Sequence, residues 1–153
     1  YRCTTTSDLI KNEKKKFDIV IASEVIEHVN ERKIFLSDIS KLCRNGGLVV
    51  FTTINKSFLG IVLGKFFAEN ILNVVPKDTH NPEKFISPQE LSSEAKEHNI
   101  ILDNFVGFIP RFKIRNIINK EFGDFILSSN TGVNYGAAGI KLQSNDHQVS
   151  RVY

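Results

Sequence analysis

The sequence predicts an α/β fold, a layered sheet whose parallel strands are joined by right-handed helical crossovers. Three observations carry that reading. Phe17-Asp18-Ile19-Val20-Ile21-Ala22 is a short, nearly continuous apolar run rich in β-branched residues, the pattern of a strand covered on both faces. Leu48-Val49-Val50-Phe51-Thr52-Thr53-Ile54 repeats the pattern. Between them Ile34, Phe35, Ile39, Leu42 and Cys43 recur at helical spacing. Strand, helix, strand with short connections requires the two strands to run parallel.

The remaining elements follow from local chemistry. From about Glu24 the pattern turns helical, and Asn45-Gly46-Gly47 ends the second helix, because glycine takes the left-handed C-terminal position without a Cβ penalty. Ser87-Pro88-Gln89-Glu90 reads as a capping box with proline at the first helical position, opening a helix that runs to about His98. Ile100 to Ile109 and Val133 to Leu142 are late strands, and Gly136 and Gly139 in the second suggest close backbone approach or a bulge. Residues 143–153 form a polar tail.

Composition narrows the function classes. With 153 residues and 41% hydrophobic content the chain fits one domain with a single core. A net charge of +3, with Lys14-Lys15-Lys16 the one basic run, gives no footprint for nucleic acid. Cys3 and Cys43 lack CxxC spacing and suit free, core-type thiols in a reducing compartment. The first residues carry neither a signal-peptide nor a transit-peptide pattern. The chain has no methionine, including at position 1, which suggests a piece of a longer product.

Ligands of open α/β sheets sit beyond the carboxyl ends of the strands. Ser23 and Glu24 fall at one such end, and Thr53, Ile54 and Asn55 at another. On a helix starting at Glu24, with about 100° per residue, Glu24, Glu27 and His28 share one face, with Glu24 between the other two. Two carboxylates suit a hard divalent cation and the imidazole a transition metal, so the set predicts a metal site without fixing the metal. A solvated first turn, with acids favoured by the helix dipole, accounts for the same residues.

Residues 58–75 are the other informative stretch. Plotted as a helix, they show a narrow polar stripe of Lys65, Glu69 and Asn73 with apolar residues around most of the remainder. The segment is too short and too charged to span a bilayer, but it could lie in the interface. An ordinary core helix or a lid over a pocket explains the same pattern.

The motifs in order carry a resemblance. Phe17-Asp18-Ile19-Val20-Ile21-Ala22-Ser23-Glu24-Val25-Ile26-Glu27-His28-Val29, Asn45-Gly46-Gly47, Thr52-Thr53-Ile54-Asn55-Lys56, Val75-Pro76-Lys77-Asp78-Thr79-His80, Lys84-Phe85 and Val133-Asn134-Tyr135 together resemble the ubiquinone-biosynthesis O-methyltransferases, and their wording is closest to the mitochondrial branch. The resemblance covers residues 1–142. It implies a Rossmann-like class I methyltransferase sheet, incomplete because the first two strands are absent, with a membrane-facing insertion over about 56–80. It further implies S-adenosylmethionine as methyl donor, with Ser23 contacting it and Thr5 and Thr6 near its adenine after a strand over Tyr1 to Thr4. Glu24, Glu27 and His28 match the family's magnesium ligands, and His28 and His80 are the candidate general bases.

The implied reaction is methylation of a catechol oxygen on a polyprenylated ring, with a divalent cation lowering the phenol pKa and aligning the attacking oxygen. The implied setting is the matrix face of the mitochondrial inner membrane, as a peripheral protein beside other quinone-biosynthesis proteins, with residues 58–75 on the membrane surface. The family's glycine-rich donor loop and ribose-binding acid would precede residue 1, so the chain alone is expected to be unstable and inactive. Two other readings stay open: an inactive scaffold within a quinone-biosynthesis complex, and a methyltransferase acting on another small phenol.

Overall fold

Helix α1 (Thr6–Asn12) opens the fold, because Thr5 accepts a hydrogen bond from the Asp8 N–H as its N-cap. Strand β1 (Phe17–Ser23), a 3₁₀ turn (Ile26–His28), helix α2 (Arg32–Leu42) and strand β2 (Cys43–Ile54) follow. Helix α3 (Pro88–Glu97), β3 (Ile100–Pro110), β4 (Phe125–Ser128) and β5 (Asn134–Lys141) complete the order. The computed structural model describes residues 3–13, 15–57, 84–110 and 125–143. The expected amphipathic segment 58–75, the 56–80 insertion beyond residue 57, His80 and the tail beyond Gln143 lie outside the described residues.

The capping box is present as expected: the Ser87 hydroxyl accepts from the Glu90 N–H at 3.2 Å, and Glu90 accepts from the Ser87 N–H at 3.0 Å. Helix α2 ends at Leu42, earlier than the Asn45-Gly46-Gly47 signal. Gly46 nonetheless takes the left-handed conformation (φ 72°) in the turn that feeds the paired part of β2. Cys43 is buried as a core thiol, whereas Cys3 is exposed, and both are free.

The sheet has the order β1-β2-β5-β3-β4. The crossover through α2 makes β1 and β2 parallel, with Val20 beside Val49 and Ala22 beside Phe51. The last long strand, β5, inserts antiparallel between β2 and β3. The expected parallel pairing of β1 and β2 is present, and β5 adds a reversed strand to the sheet. Gly139 makes this insertion feasible, since a Cβ there would lie 1.9 Å from the Ile101 carbonyl oxygen, and β3 shifts register between Leu102 and Asn104 at this point. Strand β4 had no counterpart among the expected elements.

Alternation along the strands separates two faces. Val20, Ala22, Val49, Phe51, Ile100, Leu102, Tyr135 and Ala137 face α2 and α3 and form one cluster with Phe35, Leu36, Ile39, Leu91 and Ala95. The intervening residues Ile19, Ile21, Leu48, Val106 and Ile140 are exposed, Ile21 at 65%. The expectation that β1 is covered on both faces is therefore corrected. Among the described residues, the helices pack on one face only.

Candidate active site at the carboxyl ends of β1 and β2

β1 ends in a sharp turn, not in a helix. Glu24 has φ 52°, in the left-handed region where a side chain is disfavoured, and its N–H donates to the Thr52 carbonyl at 2.9 Å. That bond holds the turn against the end of β2. Ser23 and Thr52, partners in the parallel register, place their hydroxyl oxygens 2.8 Å apart, and the Thr52 hydroxyl donates to Glu24 Oε1 at 2.8 Å. The result is an exposed polar cluster of Ser23, Glu24 and Thr52 where an open sheet receives ligands.

Glu27 goes the other way. The 3₁₀ turn buries Ile26 and Glu27, the latter at 2% exposure, and Glu27 Oε2 accepts from the Thr53 hydroxyl at 2.9 Å. Its Oε1 has no hydrogen-bond partner among the described residues. Thr52 and Thr53 are consecutive in a strand, so their side chains point to opposite faces of the sheet. Glu24 and Glu27 are thus tied to opposite faces. This corrects the expected helical face bearing Glu24, Glu27 and His28: the left-handed turn at Glu24 takes it out of phase, and the following turn is 3₁₀. His28 is exposed, its backbone N–H closing the turn on the Val25 carbonyl at 2.9 Å. Among the described residues no group of three His, Cys, Asp or Glu is arranged to hold a metal ion.

The Thr-Thr-Ile-Asn-Lys stretch organises the rest of this end. Asn55, the first residue past β2, donates two bonds to the segment before β5. Its N–H donates to the Val133 carbonyl at 2.8 Å and its side-chain amide to the Thr131 carbonyl at 2.8 Å, which joins the exit of β2 to the entry of β5. Lys56 pairs with Glu90 at 3.3 Å, and Lys84 donates to the Asn30 side chain at 2.7 Å. Hydrogen bonding from Ser87 holds the Glu90 carboxyl below its ordinary range despite some burial, with Lys56 adding to the effect.

Tyr135 is the residue that sequence reasoning assigned no role. It is fully buried, lies beside Thr53 in the β2–β5 register, and donates to the Ile86 carbonyl at 3.1 Å. Burial raises its phenol pKa, and the charges of Glu90 and Glu27 push it the same way. One ring directly before the small-residue run Gly136-Ala137-Ala138-Gly139 of β5 is the available signal. Thr5 and Thr6, expected near an adenine, instead serve α1. Thr5 donates to Asp8 at 2.8 Å, and Thr6 donates to the buried Asp38 of α2 at 2.9 Å. The described residues before Thr6 form no strand.

Residues 4–101 match the protein family described as "Methyltransferase domain". The chain belongs to this family. Over 98% of its length the methyltransferase chain is 35% identical to the human mitochondrial ubiquinone biosynthesis O-methyltransferase, of which it covers 38%. Over 88% of its length it is 32% identical to the ubiquinone biosynthesis O-methyltransferase of Nitrobacter winogradskyi, of which it covers 48%. The chain therefore spans less than half of either relative. A SAM-dependent methyltransferase from Thermotoga maritima shares the fold at a TM-score of 0.55 and 18% identity, over 86% of this chain and 60% of that one. The fold is that of the class I methyltransferases.

Proposed function

We propose that this chain belongs to a SAM-dependent O-methyltransferase of ubiquinone biosynthesis, one that methylates a catechol oxygen on a polyprenylated ring. The observation that carries the reading is the 35% identity to a named ubiquinone biosynthesis O-methyltransferase along nearly the whole chain. Residues 1–142 supply the C-terminal portion of the catalytic domain and 143–153 a polar appendage. The chain covers 38% of that relative, and on this reading the methyl donor would lie at the strand ends on the open sheet face.

Methyl transfer is an in-line displacement. The phenolate oxygen attacks the sulfonium methyl, the carbon–sulfur bond breaks, and neutral S-adenosylhomocysteine leaves. The phenol proton must go to a base, and His28 and His80 are the two candidates. His28 is favoured by its exposed position next to the strand ends. Ser23, Glu24 and Thr52 offer hydroxyl and carboxylate groups to the donor on the open side.

Magnesium fits this arrangement poorly. The unpartnered Glu27 Oε1 could meet a cation, but Glu24 is bonded to Thr52 on the opposite face of the sheet. One ion cannot draw on both carboxylates while each keeps its threonine, so no step is routed through a metal. The mitochondrial names among the relatives support a mitochondrial setting. Attachment to the matrix side of the inner membrane through residues 58–75, with other quinone-biosynthesis proteins as neighbours, completes the reading.

The test is a methyl-transfer assay on the longest product of the coding sequence, with prenylated and unprenylated catechols. Turnover of the prenylated catechol with labelled donor is the expected result, and His28→Ala should lower it about a hundredfold. Equal turnover of both catechols would favour another small phenol, and absence of turnover would favour a scaffold. If a chelator abolishes activity, Glu24 or Glu27 must release its threonine on binding the ion.

A further inference from the structure

The amino ends of β1 and β2, at the far end of the sheet from Ser23 and Glu24, carry a second feature. A cleft of about 240 Å³ is lined there by Lys16, Lys41, Arg44 and Lys141 together with Ser40 and Cys43. No carboxylate is among its described lining residues. The nearby Asp18 is already engaged, accepting from Arg44 Nε at 2.5 Å.

Lys141 is the unusual member. It occupies a core-facing position of β5, beside Ile100 in the register, and is only 4% exposed. An ammonium has three donors. The Leu142 carbonyl takes one, and the other two have no partner among the described residues. Burying a cation with donors unspent is costly, and the desolvation lowers the Lys141 pKa accordingly. Burial also raises the Cys43 pKa, which disfavours the thiolate as a partner for Lys141. The carboxyl end of α2 explains part of the cluster, since Lys16 donates to the Lys41 carbonyl as expected for a cation at a helix C-terminus. One cation satisfies that end; three more face the cleft.

We propose that this cleft is a binding site for a phosphate-bearing anion. Arg44 donates from Nε to Asp18 and from Nη1 to the Asn45 carbonyl and supplies its remaining guanidinium N–H groups, and Lys141 supplies a buried charge at the back. Lys16 and Lys41 at the rim are exposed and steer the anion in. A free phosphate ester and a lipid headgroup share this chemistry.

The experiment uses the complete chain at low salt. Inorganic pyrophosphate is titrated by calorimetry, and in parallel the protein is sedimented with vesicles of phosphatidylcholine with or without phosphatidic acid. Saturable pyrophosphate binding is expected, weakened at least tenfold by Lys141→Met and by the rim variant Lys41→Ala. The exposed Lys33→Ala, on the first turn of α2, should leave it unchanged. Sedimentation only with phosphatidic acid, lost in the same two variants, would support the site and identify a headgroup as the source. The proposal is overturned if neither probe binds, or if Lys33→Ala weakens binding as much as Lys41→Ala. Should Lys141→Met not fold, the comparison of Lys41→Ala with Lys33→Ala still decides.

Discussion

On the face of the sheet turned to α2 and α3, Val49, Phe51 and Tyr135 are completely buried, whereas one residue along each strand Ile19, Ile21 and Ile140 are about half exposed or more. The two sets are equally apolar, so composition alone does not separate them. What separates them is that both crossovers, through α2 and α3, fall on one side of the sheet. The same division runs through the candidate site, where Thr53 takes Glu27 into the core and Thr52 leaves Glu24 at the surface. Packing is concentrated on one face, and the exposed polar cluster of Ser23, Glu24 and Thr52 is on the other.

The largest effect should come from paired truncations across the sheet. Phe51→Ala removes a fully buried ring and should cost about 3–5 kcal/mol, by transfer and cavity terms together. Ile21→Ala, at a position 65% exposed, should cost under about 1 kcal/mol in this chain. Urea midpoints of the two variants test this. Similar losses would mean that the open face is packed after all. In a longer product whose extra polypeptide covers this face, the Ile21 cost should rise toward the core range.

A smaller contrast comes from one substitution made at neighbouring positions. Thr53→Val keeps the shape of the side chain but strips the buried Glu27 carboxylate of its one hydrogen-bond donor among the described residues, at a cost of about 1–3 kcal/mol. Thr52→Val removes the bond to Glu24, where water replaces it, and stability should change by about 0.5 kcal/mol or less. In methyl-transfer assays of the longest product the order should reverse, with Thr52→Val the more damaging per unit of stability lost. Equal stability losses would break the division of the two carboxylates between faces.

Much of this was legible in the sequence, and the failures share a cause. Apolar runs and the Ser87-Pro88-Gln89-Glu90 signal place β1, α3 and the end of β2 within a residue or two, because those signals are local, whereas β2 begins at Cys43, five residues before its apolar run. Which face of β1 is covered depends on where crossovers pack, and no run of residues encodes that. The site failed for a subtler reason. Glu24, Glu27 and His28 have helical spacing, but spacing places them on one face only if Glu24 is helical, and the bond from its N–H to Thr52 holds it left-handed instead. A backbone bond to a strand far away in sequence overrode the local period. Tyr135 was passed over because its partner, the Ile86 carbonyl, is also remote.

Tyr135 gives the smallest and most specific test of the covered face. Tyr135→Phe keeps the ring packed near Phe105, with centroids 6.1 Å apart in the parent, but leaves the Ile86 carbonyl without its donor. A loss of about 1 kcal/mol at neutral pH follows. The pH dependence adds a signature that packing loss would not produce. Burial raises the folded-state phenol pKa, so the neutral phenol is the form the fold favours. This contribution is fully present below the unfolded tyrosine pKa of about 10, and it is lost as pH rises from there toward the folded value. The parent should therefore lose stability above about pH 10 faster than Tyr135→Phe, and the two urea midpoints should converge between about pH 10 and 11. A constant gap across that range would mean that the phenol reaches water, and that the covered face is more open around Glu27 and Tyr135 than their burial indicates.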